Sequence, residues 1–278
     1  MDFGIPKEVR DLEMRVGLTP AGVVSLIKRG HRVYLERNAG ADAGFRDEHY
    51  EQAGAQIVYT ADEAYGRADV VLKVARPTAA EHALFRHNQV IFSFFHLTVA
   101  SSDLVTALKE NAVTAIAYEV MEEPDGRLPV LLPMSEVAGR LAPVFAGQLL
   151  TSAAGGRGIL LSGLPGVARA IAVIVGAGSL GQSSGRSSAS APSDRAGQQR
   201  EPAARGGRDV PRHGFYHDGH RYNLERAVGF ADVLVGAVLR GASAPRCWSH
   251  EMVAKCAPAR WRWTFRSIKA AVSRPAGR

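Results

Sequence analysis

The 278-residue chain contains no stretch of eighteen consecutive apolar residues, so no segment has the length and hydrophobicity of a membrane-crossing helix. Its first residues also lack a basic stretch leading into an apolar core and a small-residue cleavage site. A cytoplasmic protein is expected on both grounds. There are only two cysteines, Cys247 and Cys256, with no second pair at metal-ligating spacing, so neither a disulfide framework nor a structural zinc site is implied. Residues 182 to 209 contain no Val, Ile, Leu, Met or Phe. A stretch of that composition has no apolar periodicity with which to bury a helix face or a strand, and packed structure is not expected from residue 182 to residue 221.

The formal net charge of +7 would ordinarily suggest a nucleic-acid partner, but the charge is not spread along the chain. Residues 1 to 181 carry 17 Lys and Arg against 20 Asp and Glu, whereas residues 182 to 278 carry 17 against 7. The basicity belongs to the tail, where RCWSHEMVAKCAPARWRWTFRSIKAAVSRPAGR interleaves tryptophan with arginine and shows no clear period. A basic-tailed, non-enzymatic binding protein is one reading of that tail.

The first 181 residues have the character of an α/β protein with a parallel sheet, because short apolar runs alternate with helical patterns. Thr19 and Pro20 form an N-cap followed by a proline at the first helical position. Val23, Val24, Leu26 and Ile27 then supply an apolar face before Gly30 stops the helix. Strands are expected at Val33 to Leu35, Ile57 to Tyr59, Val70 to Val74, Val90 to Phe94 and Thr114 to Ala117, with helices near Ala61 to Tyr65 and Leu104 to Glu110. A long helix runs from Ser135, its expected N-cap, to about Ala153. The glycines Gly155, Gly156, Gly158 and Gly163 then loosen the chain before a strand at Ile171 to Val175. The boundary is therefore expected between Gln148 and Gly166. That gives a domain of residues 1 to 148 and a second of residues 149 to 278, degenerate at 182 to 221 and 240 to 278. Within the second, Asn223 to Leu239 reads as a helix followed by a buried strand.

The second domain opens with an apolar strand running into Gly176-Ala177-Gly178-Ser179-Leu180-Gly181, the spacing of a dinucleotide-binding turn. In such a turn the glycines allow a tight bend, close approach of backbone to a pyrophosphate, and close packing of the following helix, whose N-terminal N–H groups meet the phosphates. A glycine-rich turn with no ligand is the alternative. In the first half, Lys73 interrupts an apolar strand near its end, which makes it either a snorkelling or a functional residue. Arg15 alone would be a solvated surface charge, and His96, closing IFSFFHL, a satisfied core histidine.

Taken together, GIPKEVRDLEMRVGLTPAGV, VVLKVARP, FFHL, AIAYEV, LPMSEVAGR, GGRGILLSGLPGV and VIVGAGSLG occur in an order that resembles the alanine dehydrogenases, relatives of the first subunit of nicotinamide nucleotide transhydrogenase. The resemblance runs from Met1 to Gly181 and resumes at Tyr222 to Leu239. It implies a Rossmann-like substrate domain followed by a Rossmann NAD-binding domain, and NAD-dependent oxidative deamination of L-alanine to pyruvate and ammonium, through an iminopyruvate that water attacks. It implies Arg15 and Lys73 on the substrate carboxylate or carbonyl and His96 as acid/base. It also implies Ser135, Gly176, Gly178, Ser179, Leu180, Gly181, Val238 and Leu239 at the cofactor, with no metal. A homo-oligomer, a hexamer in the family, is implied as well, with no nucleic-acid or membrane partner. A transhydrogenase subunit, or a non-enzymatic remnant, is the alternative.

Two family elements are missing from the tail: the acidic residue that holds the adenine ribose about 20 residues after the glycine turn, and a D-x-S-I-D-Q-G-G segment whose aspartate completes the active site. The chain also stops where the family would return to its first domain. A shift of reading frame after about Gly181 accounts for the losses. Codons for Asp194 to Gln199 can be chosen so that a reading one base later gives Thr-Val-Leu-Asp-Asn. Codons for Trp263 to Ala271 can likewise overlap a reading of Asp-Val-Ser-Ile-Asp-Gln-Gly-Gly.

Overall fold

The computed structural model describes residues 1–176, 178–188, 215–216, 221–238, 261–266 and 269–272. The chain divides into two compact units, Met1–Leu128 and Pro129–Arg278.

In the first unit six strands form one sheet: β1 (Asp2–Ile5), β2 (Arg32–Glu36), β3 (Gln56–Val58), β4 (Val70–Ala75), β5 (Val90–Phe94) and β6 (Thr114–Ala117). All adjacent pairs are parallel and the spatial order is β3-β2-β1-β4-β5-β6, the doubly wound order in which helices cover both faces. Those helices are α1 (Pro20–Ile27), α2 (Asp47–Gln52), α3 (Ala61–Arg67), α4 (Ala79–His82) and α5 (Ser102–Glu110). The Thr19 hydroxyl accepts from the Gly22 N–H and Pro20 opens α1, as the sequence pattern predicts. On one face Val23 of α1 and Tyr50 of α2 pack on Ile5, Val33, Leu35 and Leu72. On the other, Tyr65 of α3 and Leu104 and Leu108 of α5 pack on Val71 and Ile91.

The strand β1 can pass beneath α3 because it carries Gly4, where a Cβ would lie 2.2 Å from the Ala64 carbonyl oxygen. The obstacle is backbone and cannot swing aside. Beyond Ile5 the chain leaves the sheet, so β1 pairs with β4 only at Phe3↔Val70 and Gly4↔Val71. The loop that follows closes over the rest of β4, with Gly17 flush against it: a Cβ there would meet the Leu72 carbonyl oxygen at 2.1 Å.

In the second unit α6 (Leu131–Leu150) and α7 (Ser179–Ser188) accompany a sheet built on β7 (Ala172–Val175), β8 (Phe215–Tyr216), β9 (Val233–Gly236), β10 (Trp261–Arg266) and β11 (Lys269–Val272), in the order β11-β10-β9-β7-β8. Every neighbouring pair is parallel except β10 with β11. Ala142, Ala146 and Leu150 of α6 pack on Ile174, Val233 and Val235, while Ala227 and Val228 of α8 (Arg221–Phe230) pack on Val173 and Leu234.

Several expectations change. The long helix begins at Leu131 with Val130 as its N-cap, so Ser135 is an interior helical residue and not a cap. The structural division after Leu128 assigns the whole of α6 to the second unit, twenty residues before the expected division after Gln148, because its buried face lies on β7 and β9. Residues 182 to 221 are not devoid of packed structure: α7 continues to Ser188 with Ser183 and Ser184 buried, and β8 pairs with β7 at Ile174↔Phe215 and Val175↔Tyr216. Small side chains hold α7 by close approach where apolar bulk is missing. At Gly139 of α6 a Cβ would meet the Leu180 carbonyl oxygen at 2.5 Å and the Ser183 Cβ at 2.6 Å. In the tail, Trp261, Trp263 and Phe265 alternate with a two-residue period in the sequence, and they lie within the strand β10. Leu239, both cysteines and Asp194 to Gln199 lie outside the described residues.

The contact at Gly4 gives a direct test. Gly4→Ala is expected to cost about 3 kcal/mol, the upper end of ordinary overpacking, read as a lower thermal midpoint for the first unit. An unchanged midpoint would show that α3 can move off β1.

Candidate functional site

In a doubly wound sheet the carboxyl ends of the parallel strands share one edge, and loops leaving them meet there. Three strand ends carry the candidate residues of the first unit. Arg15 lies in the loop after β1, Lys73 in the last half of β4, and His96 two residues beyond β5.

Arg15 and His96 are brought together through Phe94. The Arg15 guanidinium lies over the Phe94 ring, 6.0 Å from its centroid, and the His96 ring stacks on Phe94 at 6.0 Å with 19° between planes. Tyr118 closes on Phe94 edge-on at 5.3 Å. Arg15 is further fixed by Glu13, with Nε at 2.7 Å from Oε1 and an Nη at 2.6 Å from Oε2, a two-point fit between planar groups. Burial pushes the Glu13 carboxyl up, but the hydrogen bonds and charge of Arg15 outweigh it and hold Glu13 below the usual carboxylate value. The side chain of Arg15 still keeps 44% exposure.

His96 has a left-handed backbone, φ 46° and ψ 51°, which turns the chain sharply off the line of β5 after the fully buried Phe95. Its backbone N–H donates to Glu119 Oε1 at 2.6 Å, and the same oxygen lies 3.8 Å from Nδ1. Burial lowers the His96 pKa below its ordinary 6.5 and Arg76 lowers it further, against an opposing pull from Glu119. The neutral imidazole, the form that accepts a proton, is therefore the resting form at neutral pH.

Lys73 does not snorkel. Its side chain is 1% exposed, with the ammonium 3.1 Å from Glu8 Oε2 and 2.8 Å from Glu81 Oε1. It points to the face of β4 shared with Tyr65, whose hydroxyl donates to Glu81 at 3.2 Å. Electrostatically it belongs with Arg15: Lys73 acts on Glu13, and Glu8 acts on both Arg15 and Tyr118. Glu8, Glu13, Glu81, Phe94, Tyr118 and Glu119 were not singled out from sequence. Glu8 and Glu13 sit inside the quoted GIPKEVRDLEMRVGLTPAGV, but acidic residues in an irregular loop give no signal of the cation they will meet.

The glycine turn of the second unit separates three roles. Gly176 has φ 111°, and a Cβ on it would lie 2.5 Å from the Ala237 carbonyl oxygen and 3.0 Å from the Val238 nitrogen. Gly181 packs α7 against the turn, since a Cβ there would lie 1.9 Å from the Gly176 carbonyl oxygen. Gly178 is exposed, with nothing among the described residues within 4 Å of an added Cβ. The first and third glycines are required by the fold, whereas the second leaves backbone open at the N-terminus of α7, beside Ser179 and Leu180. Open space there is what a pyrophosphate requires, so the residues present fit a dinucleotide. Val238 follows β9 and lies beside this turn, and Ser135 is on α6, one turn before the Gly139 contact with α7.

A doubly wound unit with a cation-and-histidine cluster at its strand ends, followed by a unit with a dinucleotide-type turn, defines a two-domain α/β nucleotide-binding protein. Residues 4–138 match the family model described as the N-terminal domain of alanine dehydrogenase/PNT, and residues 142–259 match its C-terminal domain. The chain belongs to the alanine dehydrogenase/PNT family. It is 42% identical over 261 residues to an alanine dehydrogenase of Mycobacterium tuberculosis (strain CDC 1551 / Oshkosh), covering 93% of this chain and 70% of that one. With an alanine dehydrogenase of Bacillus subtilis it shares 41% over 271 residues, 93% and 68% of the two chains. A solved L-alanine dehydrogenase superposes with a TM-score of 0.76 at 34% identity, covering 95% of this chain and 73% of that one. A solved transhydrogenase from Sinorhizobium meliloti, at 23% identity and a TM-score of 0.68, shares the fold.

The His96 environment makes a prediction with a definite sign. A folded pKa below the unfolded value means that the neutral ring stabilises the fold fully above pH 6.5 and that this stabilisation is lost as pH falls through the folded midpoint. The His96 imidazole resonance, assigned by comparison with His96→Gln, is expected to titrate below 6.5. Glu119→Gln should move it further down and Arg76→Ala up. A midpoint at or above 6.5 in the unaltered protein would contradict the buried, neutral assignment.

Proposed function

We propose that this protein catalyses the NAD-dependent interconversion of L-alanine with pyruvate and ammonium. The observation that carries the reading is the Arg15–Phe94–His96 arrangement in a chain 42% identical, over 93% of its length, to an alanine dehydrogenase. In the forward direction L-alanine, NAD⁺ and water give pyruvate, ammonium, NADH and a proton. NAD, when bound, supplies the hydride acceptor.

The remaining work falls to side chains. A substrate carboxylate needs a fixed cation, which Arg15 supplies with its orientation set by Glu13, and Lys73 supplies a second one for the carboxylate or the developing carbonyl oxygen. The attacking water and the departing amine exchange protons near neutral pH, which suits a histidine held neutral and stacked flat on Phe94 so that its ring plane is set. At the cofactor, the N–H groups around Gly178, Ser179 and Leu180 meet the pyrophosphate, with Gly176 and Gly181 shaping the turn. Val238 lies against Gly176 of that turn, while Ser135 on α6 and Leu239, which lies outside the described residues, are assigned to the same site by the resemblance. The resemblance extends to a cytoplasmic location, a small-molecule substrate and a homo-oligomer, for which a hexamer by sedimentation is the expected result.

The functional test is alanine-dependent reduction of NAD by the purified protein, with His96→Ala expected to lower kcat by about 100-fold or more. No loss in His96→Ala would remove the acid/base role. The frame reading adds a second arm. Restoring residues 182–221 and 240–278 in their shifted frames should raise activity by about 100-fold, because the ribose-holding acidic residue and the missing active-site aspartate return to position the nicotinamide. Equal activity of the two forms would eliminate that reading.

The glycine turn can be tested without turnover. Gly178→Ala is expected to leave the thermal midpoint unchanged while weakening NADH binding about 10-fold, by fluorescence titration, because its methyl group occupies the approach of the phosphates. Gly181→Ala should instead lower the midpoint, by about 3 kcal/mol of stability. Unchanged NADH affinity in Gly178→Ala would place the dinucleotide elsewhere.

A further inference from the structure

The buried cluster around Lys73 contains more carboxylate than the lysine needs. Lys73 meets Glu8 from the loop after β1 and Glu81 from α4, each nearly as buried as itself, so the three groups carry one net negative charge when all are ionised. The two carboxylates are held differently. Glu81 has its own structural work: its Oε2 accepts from the Thr78 backbone at 2.8 Å and hydroxyl at 2.9 Å in the capping box of α4, and its Oε1 accepts from Tyr65. Among the described residues Glu8 accepts from the Val74 N–H at 2.6 Å through Oε1 and forms an ion pair with Lys73 through Oε2.

The Val74 contact matters because the ladder between β4 and β5 shifts register between Leu72 and Ala75, and β1 has already left the other side of β4. Glu8 takes the place of the missing strand, and its second oxygen is thereby set against the ammonium. Of the other charged groups that act on the cluster, Glu36 accepts from the Lys7 N–H at 2.7 Å and Arg15 is held by Glu13.

We propose that Glu8 is a positioning residue for the substrate site: with Glu81 it flanks the buried Lys73 ammonium as a second ion-pair partner and so fixes where that charge sits for a substrate carboxylate or carbonyl oxygen. This rests on the reading of Lys73 as a substrate-binding residue. An ammonium is a point charge on a flexible four-carbon stem, unlike the rigid fork of a guanidinium, and the two buried carboxylates on either side of it restrict where that charge can sit. Burial pushes the Glu8 carboxyl up, ahead of the opposing pull of Lys73.

Glu8→Gln separates positioning from architecture. The glutamine oxygen can still accept from the Val74 N–H, and Lys73 with Glu81 becomes a one-to-one pair, but the amide N–H₂ cannot accept from the ammonium. Pyruvate affinity, measured by calorimetry with NADH present, is expected to weaken about 10-fold in Glu8→Gln and at least as much in Lys73→Met. NADH affinity and the thermal midpoint of Glu8→Gln should remain close to those of the unaltered protein. Unchanged pyruvate affinity in Glu8→Gln alongside a loss in Lys73→Met would overturn the positioning role alone. So would a fall in the thermal midpoint with pyruvate affinity preserved, which would make Glu8 merely structural. Unchanged affinity in Lys73→Met, or no pyruvate binding by the unaltered chain, would instead overturn the substrate reading of Lys73 and this inference with it.

Discussion

The first unit depends on how the loop between β1 and α1 is fastened to the end of β4. A parallel strand that loses its neighbour exposes N–H and C=O groups that must be satisfied elsewhere. Here Glu8 accepts from Val74, and the Arg10 Nε donates to the Arg76 carbonyl oxygen at 2.9 Å, so two side chains of one loop replace the ladder. The same fastening carries Glu13 and Arg15 to the carboxyl ends of the strands. The loop that repairs the sheet edge is therefore the loop that supplies the cation.

Each cation of the site is accompanied by its own carboxylate: Arg15 by Glu13, and Lys73 by Glu8 and Glu81. Such pairing weakens the positive field that an incoming carboxylate experiences, but it fixes the direction of the donors. His96 is treated in the opposite way. Burial and Arg76 keep it uncharged, and the carboxylate of Glu119 near it is engaged by the backbone N–H of His96 itself. Binding and proton transfer are thus given to groups whose surroundings push their charge states apart.

In the second unit, packing rests on the absence of side chains. Gly139 lets α6 approach α7, Gly181 lets α7 approach the turn, and Gly176 lets the turn pass Ala237. These contacts hold α7 although its own residues after Gly181 offer no apolar face. Farther along the unit, Asp232 accepts from the Ile171 N–H at 2.9 Å and pairs with Arg157, which ties the segment before β7 to the start of β9.

The sequence alone determined the α/β class, the parallel strands of the first unit and the position of the glycine turn, because these depend on local periodicity and on glycine spacing. It also pointed to Lys73, since a lysine within an apolar strand is locally anomalous. It missed α2, α4 and β1, which are short, and it placed the start of α6 four residues late because Ser135 resembles a cap while the true start, at Leu131, has no capping side chain. Stable packing in the apolar-poor residues 182 to 188 was invisible for a different reason: small-residue contacts between α6 and α7 join positions some forty residues apart, and neither segment shows that contact on its own. The meeting of Glu8 with Lys73 and of Arg15 with Phe94 was likewise decided only by tertiary structure. An acidic residue in an irregular loop has no period, and its partner is set by where a parallel sheet brings the ends of its strands.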